Sequence, residues 1–239
     1  MVVSIEDRLS GSDSLADFCA KAQSVNLDAG GAYYGSRTCF GPLQLGADPR
    51  TWQVFAANHT TRTIGGASIT ARLYDLSGRQ LNHIEQQGMN IESLSSAPAF
   101  VISWPTSPRP LHLLRMELHD NDGALLSQNV YWRYAAAQDP KGSTTLARTR
   151  LSVSVHDVKD DSLKATVANR GGAIAAMVRL TLQDRSGARL PTAGYEDDDF
   201  WLLPGESREL SISWPTGASL EHSPRVSVRA YNAATQAAH

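Results

Sequence analysis

The chain has 239 residues, 41% of them hydrophobic and 19% charged, with a formal net charge of −2. That length supports one or two domains with buried cores, and the composition is that of an ordinary globular protein. The near-neutral balance argues against nucleic acid or an anionic membrane as partner, and no apolar run approaches the ~18 residues of a membrane-spanning helix.

Residues Met1–Asp7 carry neither a basic n-region nor an apolar h-region, so no secretory signal is expected there. Residues 12–26 read as a helix. Ser12 or Asp13 can cap it, and Leu15, Phe18, Cys19, Ala22 and Val25 recur at helical spacing. Gly30 and Gly31 then disfavour continuation. Beyond this point the helical period does not return, and short strands with turn punctuation take over. Thr51–Ala56, Ala67–Tyr74, Phe100–Trp104, Leu111–Leu118 and Leu126–Trp132 are the expected strands of a first module. Residues 137–148 read as a linker. Leu151–Val158, Ser162–Val167, Met177–Leu182 and Arg225–Tyr231 are expected strands of a second module, with a frayed tail from Asn232. Strands at this interval, separated by Gly, Pro, Asp and Asn, indicate antiparallel sandwiches.

Two stretches repeat one pattern. Ala57-Asn58-His59, Asp75-Leu76-Ser77-Gly78 and Ser103-Trp104-Pro105-Thr106 are matched by Ala168-Asn169-Arg170, Asp184-Arg185-Ser186-Gly187 and Ser213-Trp214-Pro215-Thr216. Asn58 and Trp104 lie 46 residues apart, Asn169 and Trp214 lie 45 apart. Shared order and near-equal spacing point to two copies of one module of roughly 100 residues.

Chemistry-bearing motifs are sparse. Cys19 and Cys39 are too few for a disulfide framework, and both free thiols and a single bridge remain open. The seven histidines form neither HxH nor HExxH, and no GxSxG, P-loop or GxGxxG occurs. No metal, cofactor or catalytic residue is therefore assigned. The run Glu196-Asp197-Asp198-Asp199 has the residue type of a glycosidic acid/base pair or a cation site, but consecutive carboxylates splay apart and read first as a solvated loop. Among the five tryptophans, Trp104 and Trp214 occupy matching places in the repeat, which favours packing. Tyr195 and Trp201 flank the acidic run where the copies differ, and are the candidate carbohydrate-stacking residues.

Taken in order, several segments resemble the C-terminal part of glycoside hydrolase family 2 enzymes, the exo-β-glucosaminidase and β-mannosidase branch. They are Gly31–Arg37, Ala57–Thr60, Arg72–Gly78, Ser127–Trp132, Phe200–Ser207 and Pro224–Val228, which together cover roughly residues 30 to 235. The segment Ala16–Asn26 is similar to a helix late in the family's catalytic barrel. In the family a further stretch, on the order of a few tens of residues, separates that helix from the Gly-Ala-Tyr junction. Here Asn26 reaches Gly31 almost at once, and Gly41-Pro42 stands where family members tend to have Glu-Pro.

The resemblance implies an all-β chain of two tandem immunoglobulin-like β-sandwiches with a short N-terminal helix. Residues 1–29 would be the barrel-like helical segment, 30–136 the first sandwich, 137–148 the linker and 149–239 the second sandwich. The family's catalytic glutamates lie upstream on barrel strands, and no residue here matches either motif, so the chain alone is not expected to hydrolyse a glycoside. The expected role is non-catalytic, scaffolding or shaping an active-site rim, with a glycosidase catalytic domain or a carbohydrate as partner. An autonomous carbohydrate-binding module is the alternative, and a stand-alone enzyme with unrecognised chemistry is a third reading. Members of the family are often secreted or periplasmic.

Overall fold

In the computed structural model, which describes residues 31–104, 111–134, 146–184, 186–216 and 224–238, turn-forming residues break the chain into fifteen strands and one helix among those residues. The expected helix over 12–26, any pairing of Cys19 and most of the 137–148 linker lie outside them. Residues 36–134 form one compact unit; residues 31–35 group with 146–238 in a second. The helix α1 (Gly31–Cys39) falls in the Gly-Ala-Tyr segment, where the helical period was not expected to return.

The first unit is an antiparallel sandwich. One sheet has the order β1 (Leu43–Ala47), β2 (Gln53–Asn58), β5 (Ser95–Val101); the other has β4 (Gln80–Ile91), β3 (Ile64–Tyr74), β6 (Leu111–His119), β7 (Leu125–Tyr134). Alternation decides which side chains enter the core, because successive residues of a strand point to opposite faces. Val54 and Ala56 from β2 meet Ala67, Ile69, Ala71 and Leu73 from β3 and Leu114, Met116 and Leu118 from β6, all fully buried. The expected strand at Phe100–Trp104 lies earlier, at Ser95–Val101. It is an edge strand, which suits Pro98, a residue with no N–H to donate to a ladder. Asn129 links the sheets, donating from Nδ2 to the carbonyl of Leu45 at 3.0 Å, while the Tyr131 hydroxyl accepts from the Ala47 amide at 3.2 Å.

The second unit pairs a sheet of order β12 (Phe200–Leu202), β10 (Ala175–Gln183), β14 (Arg225–Ala230), β15 (Ala233–Ala238) with one of order β11 (Gly194–Tyr195), β13 (Ser207–Ser213), β9 (Ser162–Asn169), β8 (Leu151–His156). Val178, Leu180, Leu182, Val226 and Val228 pack against Leu163, Ala165, Val167, Leu210 and Ile212. The tail expected to fray is instead strand β15. Strand β14 offers an open ladder edge there, and buried Asn232 anchors the entry to β15. Its Oδ1 accepts from the Ala176 amide at 3.0 Å, and its Nδ2 donates to the carbonyls of Ala147 and Ile174 at 2.7 and 2.8 Å.

The sequence repeat is a repeat of hydrogen bonds. Asn58 is fully buried; its Nδ2 donates to the carbonyls of Arg62 and Ile91 at 2.7 and 3.1 Å, and its Oδ1 accepts from the amide and hydroxyl of Thr60. Asn169, also fully buried, donates to the carbonyls of Ala173 and Leu202 at 2.7 and 3.2 Å and accepts from the Gly171 amide. The partners stand at offsets of 2, 4 and 33 residues in both copies. The hydroxyl that Thr60 supplies in the first copy comes in the second from Thr149, at 2.7 Å. Gly171 follows from this exchange, because a Cβ there would overlap the Thr149 hydroxyl.

The second shared element is a turn, which occurs three times among the described residues. In Asp75–Arg79, Asp120–Ala124 and Asp184–Ala188 the first and fifth residues pair through the backbone, and the Asp carboxylate accepts the fifth residue's amide. Glycine holds the fourth place with φ of 85°, 83° and 86°, a region that L side chains resist. The matched tryptophans diverge. Trp214 is buried and donates from Nε1 to the carbonyl of Asp160 at 3.0 Å. Trp104 is half-buried, edge-on to Trp52 at 4.6 Å, with the Arg133 guanidinium 4.5 Å from its ring centroid. Beside it His112 is fully buried, and neither ring nitrogen has a hydrogen-bond partner.

Truncating Asn169 removes the donor from two buried carbonyls, and truncating Asn58 removes it from the buried Ile91 carbonyl, since Arg62 still accepts from the Thr60 hydroxyl. Asn58→Ala and Asn169→Ala are each expected to destabilise their own sandwich by ~2–4 kcal/mol, read from urea unfolding curves. His112 provides a second check. Burial, then the neighbouring Arg133 charge, hold its imidazole below the ordinary 6.5, so protons bind the unfolded chain first. Stability of the first sandwich should therefore fall as pH drops below 6.5, and His112→Phe should flatten that slope in the same assay.

Candidate functional site

Strands β11 and β12 are only two and three residues long, yet they belong to opposite sheets of the second sandwich. Residues 196–199 therefore carry the chain from one sheet to the other at the open edge of both. Four carboxylic residues occupy or border that crossing, and each is held by the protein. Glu196 extends the β11–β13 pairing: its amide donates to the Ser211 carbonyl at 2.9 Å, and its Oε2 accepts from the Ser211 amide at 2.9 Å. Asp197 meets the Arg208 guanidinium at 2.6 Å, and the same guanidinium lies 4.9 Å from the centroid of the Phe200 ring.

Asp198 points inward. It is 4% exposed; its Oδ1 accepts from the Leu180 amide at 2.8 Å, and its Oδ2 lies 3.4 Å from Nε of Arg179. Asp199 also reaches Arg179, at 3.5 Å, and takes the left-handed backbone conformation with φ of 61°. Asp is one of the few non-glycine residues that tolerate this region, which lets the chain turn back into β12. The acidic run is thus a pinned crossing and not the solvated loop its composition suggested. Burial raises the Asp198 carboxyl to about 7, with the Leu180 amide and Arg179 opposing and Asp199 reinforcing the shift. A raised carboxyl of this kind is a common mark of a catalytic acid. Here burial over the sheet edge accounts for it.

The two candidate stacking residues face different ways. Tyr195 packs against the core, and its hydroxyl accepts from the Leu182 amide at 2.8 Å, which ties β11 to the opposite sheet. Trp201 sits between buried Phe200 and Leu202 on β12, so alternation turns it away from the core, where it remains partly exposed. The pair does not form one aromatic platform. Sequence reasoning missed Tyr34 and Arg179. Tyr34 is buried on α1, and burial raises its phenol, reinforced by the Asp198, Tyr195 and Tyr33 charges. Its only sequence signal was the Gly-Ala-Tyr-Tyr-Gly segment. A Cβ at Gly31 would lie 3.3 Å from that of Asp199, so a small residue suits the approach of α1 to the crossing. Among the described residues no three His, Cys, Asp or Glu side chains converge where they could hold a metal ion, and no helix is long and apolar enough to cross a membrane.

These features define the class: tandem immunoglobulin-type sandwiches, the second closed by a pinned acidic crossing. Residues 129–233 match the family described as the exo-β-D-glucosaminidase Ig-fold domain. The chain is 25% identical over 235 residues to an exo-β-D-glucosaminidase of Amycolatopsis orientalis, covering 88% of this chain and 23% of that protein. It is also 25% identical over 237 residues to one of Streptomyces avermitilis, with 88% and 26% covered. In structure it superposes on the A. orientalis exo-chitosanase CsxA with a TM-score of 0.77 at 24% identity, over 90% of this chain and 28% of that one. A β-D-mannosidase from Dictyoglomus thermophilum shares the fold at a TM-score of 0.62 and 18% identity, over 87% and 24%. Over nearly nine-tenths of its length the chain is similar to the C-terminal part of exo-β-D-glucosaminidases. It spans about a quarter of the length of those curated relatives.

The Asp198 shift has a sign that can be tested. Its folded value, about 7, lies above its ordinary 3.8, so its contribution is most favourable below 3.8 and is lost as pH rises toward 7. Asp198→Asn keeps an oxygen for the Leu180 amide and cannot ionise. Relative to this variant, the wild-type chain should lose a few kcal/mol of stability across that window in chemical denaturation series.

Proposed function

We propose that this chain is a non-catalytic accessory region of a glycoside hydrolase of family 2, related to the exo-β-glucosaminidase and β-mannosidase branch. Its role is to scaffold, or to shape the active-site rim of, a catalytic domain. The observation that carries this reading is the comparison itself: nearly nine-tenths of the chain aligns with only a quarter of each relative. The crossing at residues 196–199 supports it. Glycosidic hydrolysis needs one carboxylic acid and one carboxylate facing a shared reaction space. Here the carboxylates are committed to Ser211, Arg208, Leu180 and Arg179, which is the work of a structural clasp.

Two measurements test the proposal. The purified chain should release no nitrophenol from nitrophenyl β-D-glucosaminide or β-D-mannoside, and turnover that co-purifies with it would overturn the non-catalytic role. Added to a related exo-β-glucosaminidase from which the corresponding C-terminal region has been deleted, the chain should bind and raise that barrel's melting temperature. Absence of binding in analytical ultracentrifugation would count against a scaffolding role.

The outward, partly exposed Trp201 on edge strand β12 favours a second reading, a carbohydrate-binding module. In that case chitosan or mannan oligosaccharides should bind saturably in calorimetry, with about tenfold loss in Trp201→Ala, the scale expected when an aromatic contact is removed. Unchanged binding in the variant would remove Trp201 from the site.

A further inference from the structure

At the C-terminal end of β10, three residues beyond the Leu180 amide that Asp198 accepts, the outer face of the second sandwich holds a polar groove. Strands β10, β14 and β15 form its floor and the Asp184–Ala188 turn closes one end; the cavity is about 390 Å³. It is lined by Gln183, Gly187, Arg225, Ser227, Thr235 and Gln236. That volume is at the lower end of small-molecule sites and matches a ligand the size of one sugar ring.

The register puts the key side chains on one surface. Leu182, Val226 and Val228 are buried in the core, so Gln183, Arg225 and Ser227 project from the other face. Gln183 stands directly opposite Arg225, and Thr181 opposite Ser227. Arg229 projects from the same face of β14, opposite Arg179. Arg179 is engaged by Asp198 and Asp199, whereas among the described residues neither Arg225 nor Arg229 has an acidic partner. Asp184, the residue after Gln183, is turned into its own turn, where Oδ1 accepts from the Ala188 amide at 2.9 Å and the Ser186 hydroxyl at 2.6 Å.

Arg225 is the informative residue. Its side chain lines the open groove, while its Nε is buried and without a hydrogen-bond partner. A ligand in the groove does not reach that enclosed Nε; it meets the charge of the guanidinium, whose planar fork of donors is matched by a carboxylate or sulfate. Around it the groove offers the Gln183 carboxamide and the Thr235 hydroxyl, with the Ser227 hydroxyl, which donates to the Thr181 carbonyl at 3.5 Å, keeping its oxygen as an acceptor. Gln183 uses Nε2 on the Gly187 carbonyl at 3.1 Å, leaving its oxygen as an acceptor.

We propose that this groove binds an oxyanion-bearing ligand of single-ring size, with Arg225 taking the charged group and Gln183, Ser227 and Thr235 taking hydroxyls. The site is separate from the crossing and does not rest on the role proposed for it.

The test is a titration of the full chain followed by NMR, with D-glucuronate and D-glucose as probes that differ by the carboxylate, and inorganic sulfate as a third arm. Glucuronate should shift the amides of Ser227, Thr235 and Gln236 saturably while glucose does not. Arg225→Gln should weaken glucuronate binding by about tenfold or more at an unchanged melting temperature, and Arg225→Lys should fall between, since lysine keeps charge but not the fork. Displacement of glucuronate by sulfate would locate recognition in the oxyanion alone; failure of sulfate to compete would assign it to the acidic sugar as a whole. Equal responses to glucose and glucuronate, undiminished binding in Arg225→Gln, or no shift at tens of millimolar glucuronate would each overturn the proposal.

Discussion

Each sandwich turns on one buried carboxamide. A strand that ends inside a core leaves carbonyls that water cannot reach, and an unpaired buried carbonyl costs more than a made hydrogen bond returns. Asn58 and Asn169 resolve this at the same place in both copies. Each closes its own following loop and reaches 33 residues ahead to a strand end, Ile91 in one case and Leu202 in the other. In the second copy that anchor holds Leu202, the last residue of β12, the strand into which the acidic crossing leads.

The exchange of Thr60 for Thr149 shows how such a corner tolerates change. The hydroxyl is needed at one point in space, and either the same loop or another strand can supply it. Once Thr149 supplies it, residue 171 loses room for a side chain, and glycine follows. Asn232 then ties the chain at Ala147 to the last strand, so the start and end of the second sandwich share one polar clasp. Polar side chains, more than additional apolar area, specify the connections in this unit.

Electrostatics differ along strand β10. At its middle Arg179 is shared by Asp198 and Asp199, and four carboxylic residues are absorbed by the fold. Beside its last residue, Gln183, Arg225 lines a groove with no acidic partner among the described residues. In a chain of net charge −2, Arg225 and Arg229 thus share the outer face of β14.

The all-β character, the antiparallel sandwiches and the copied Asn and Asp-x-x-Gly elements were legible in the residues, because period-two alternation and turn chemistry are local. The interval from Asn to Trp was legible as a repeat for the same reason. Strands β4 and β15 escaped notice: long runs of polar residues in Gln80–Ile91 and the Ala-rich tail carry little alternation, and a neighbouring ladder edge makes them strands. Trp104 and Trp214 share a sequence position but not an environment, since Arg133 reaches one and Asp160 the other from distant segments. Tyr195 and Trp201 look like a pair in sequence, yet a crossing between sheets turns one into the core and the other outward. By itself the sequence determined the periodicities, the turns and the duplication; only the tertiary structure decided which carboxylates are consumed and which arginine is left facing a groove, because ion pairing depends on segments tens of residues apart meeting across a sheet.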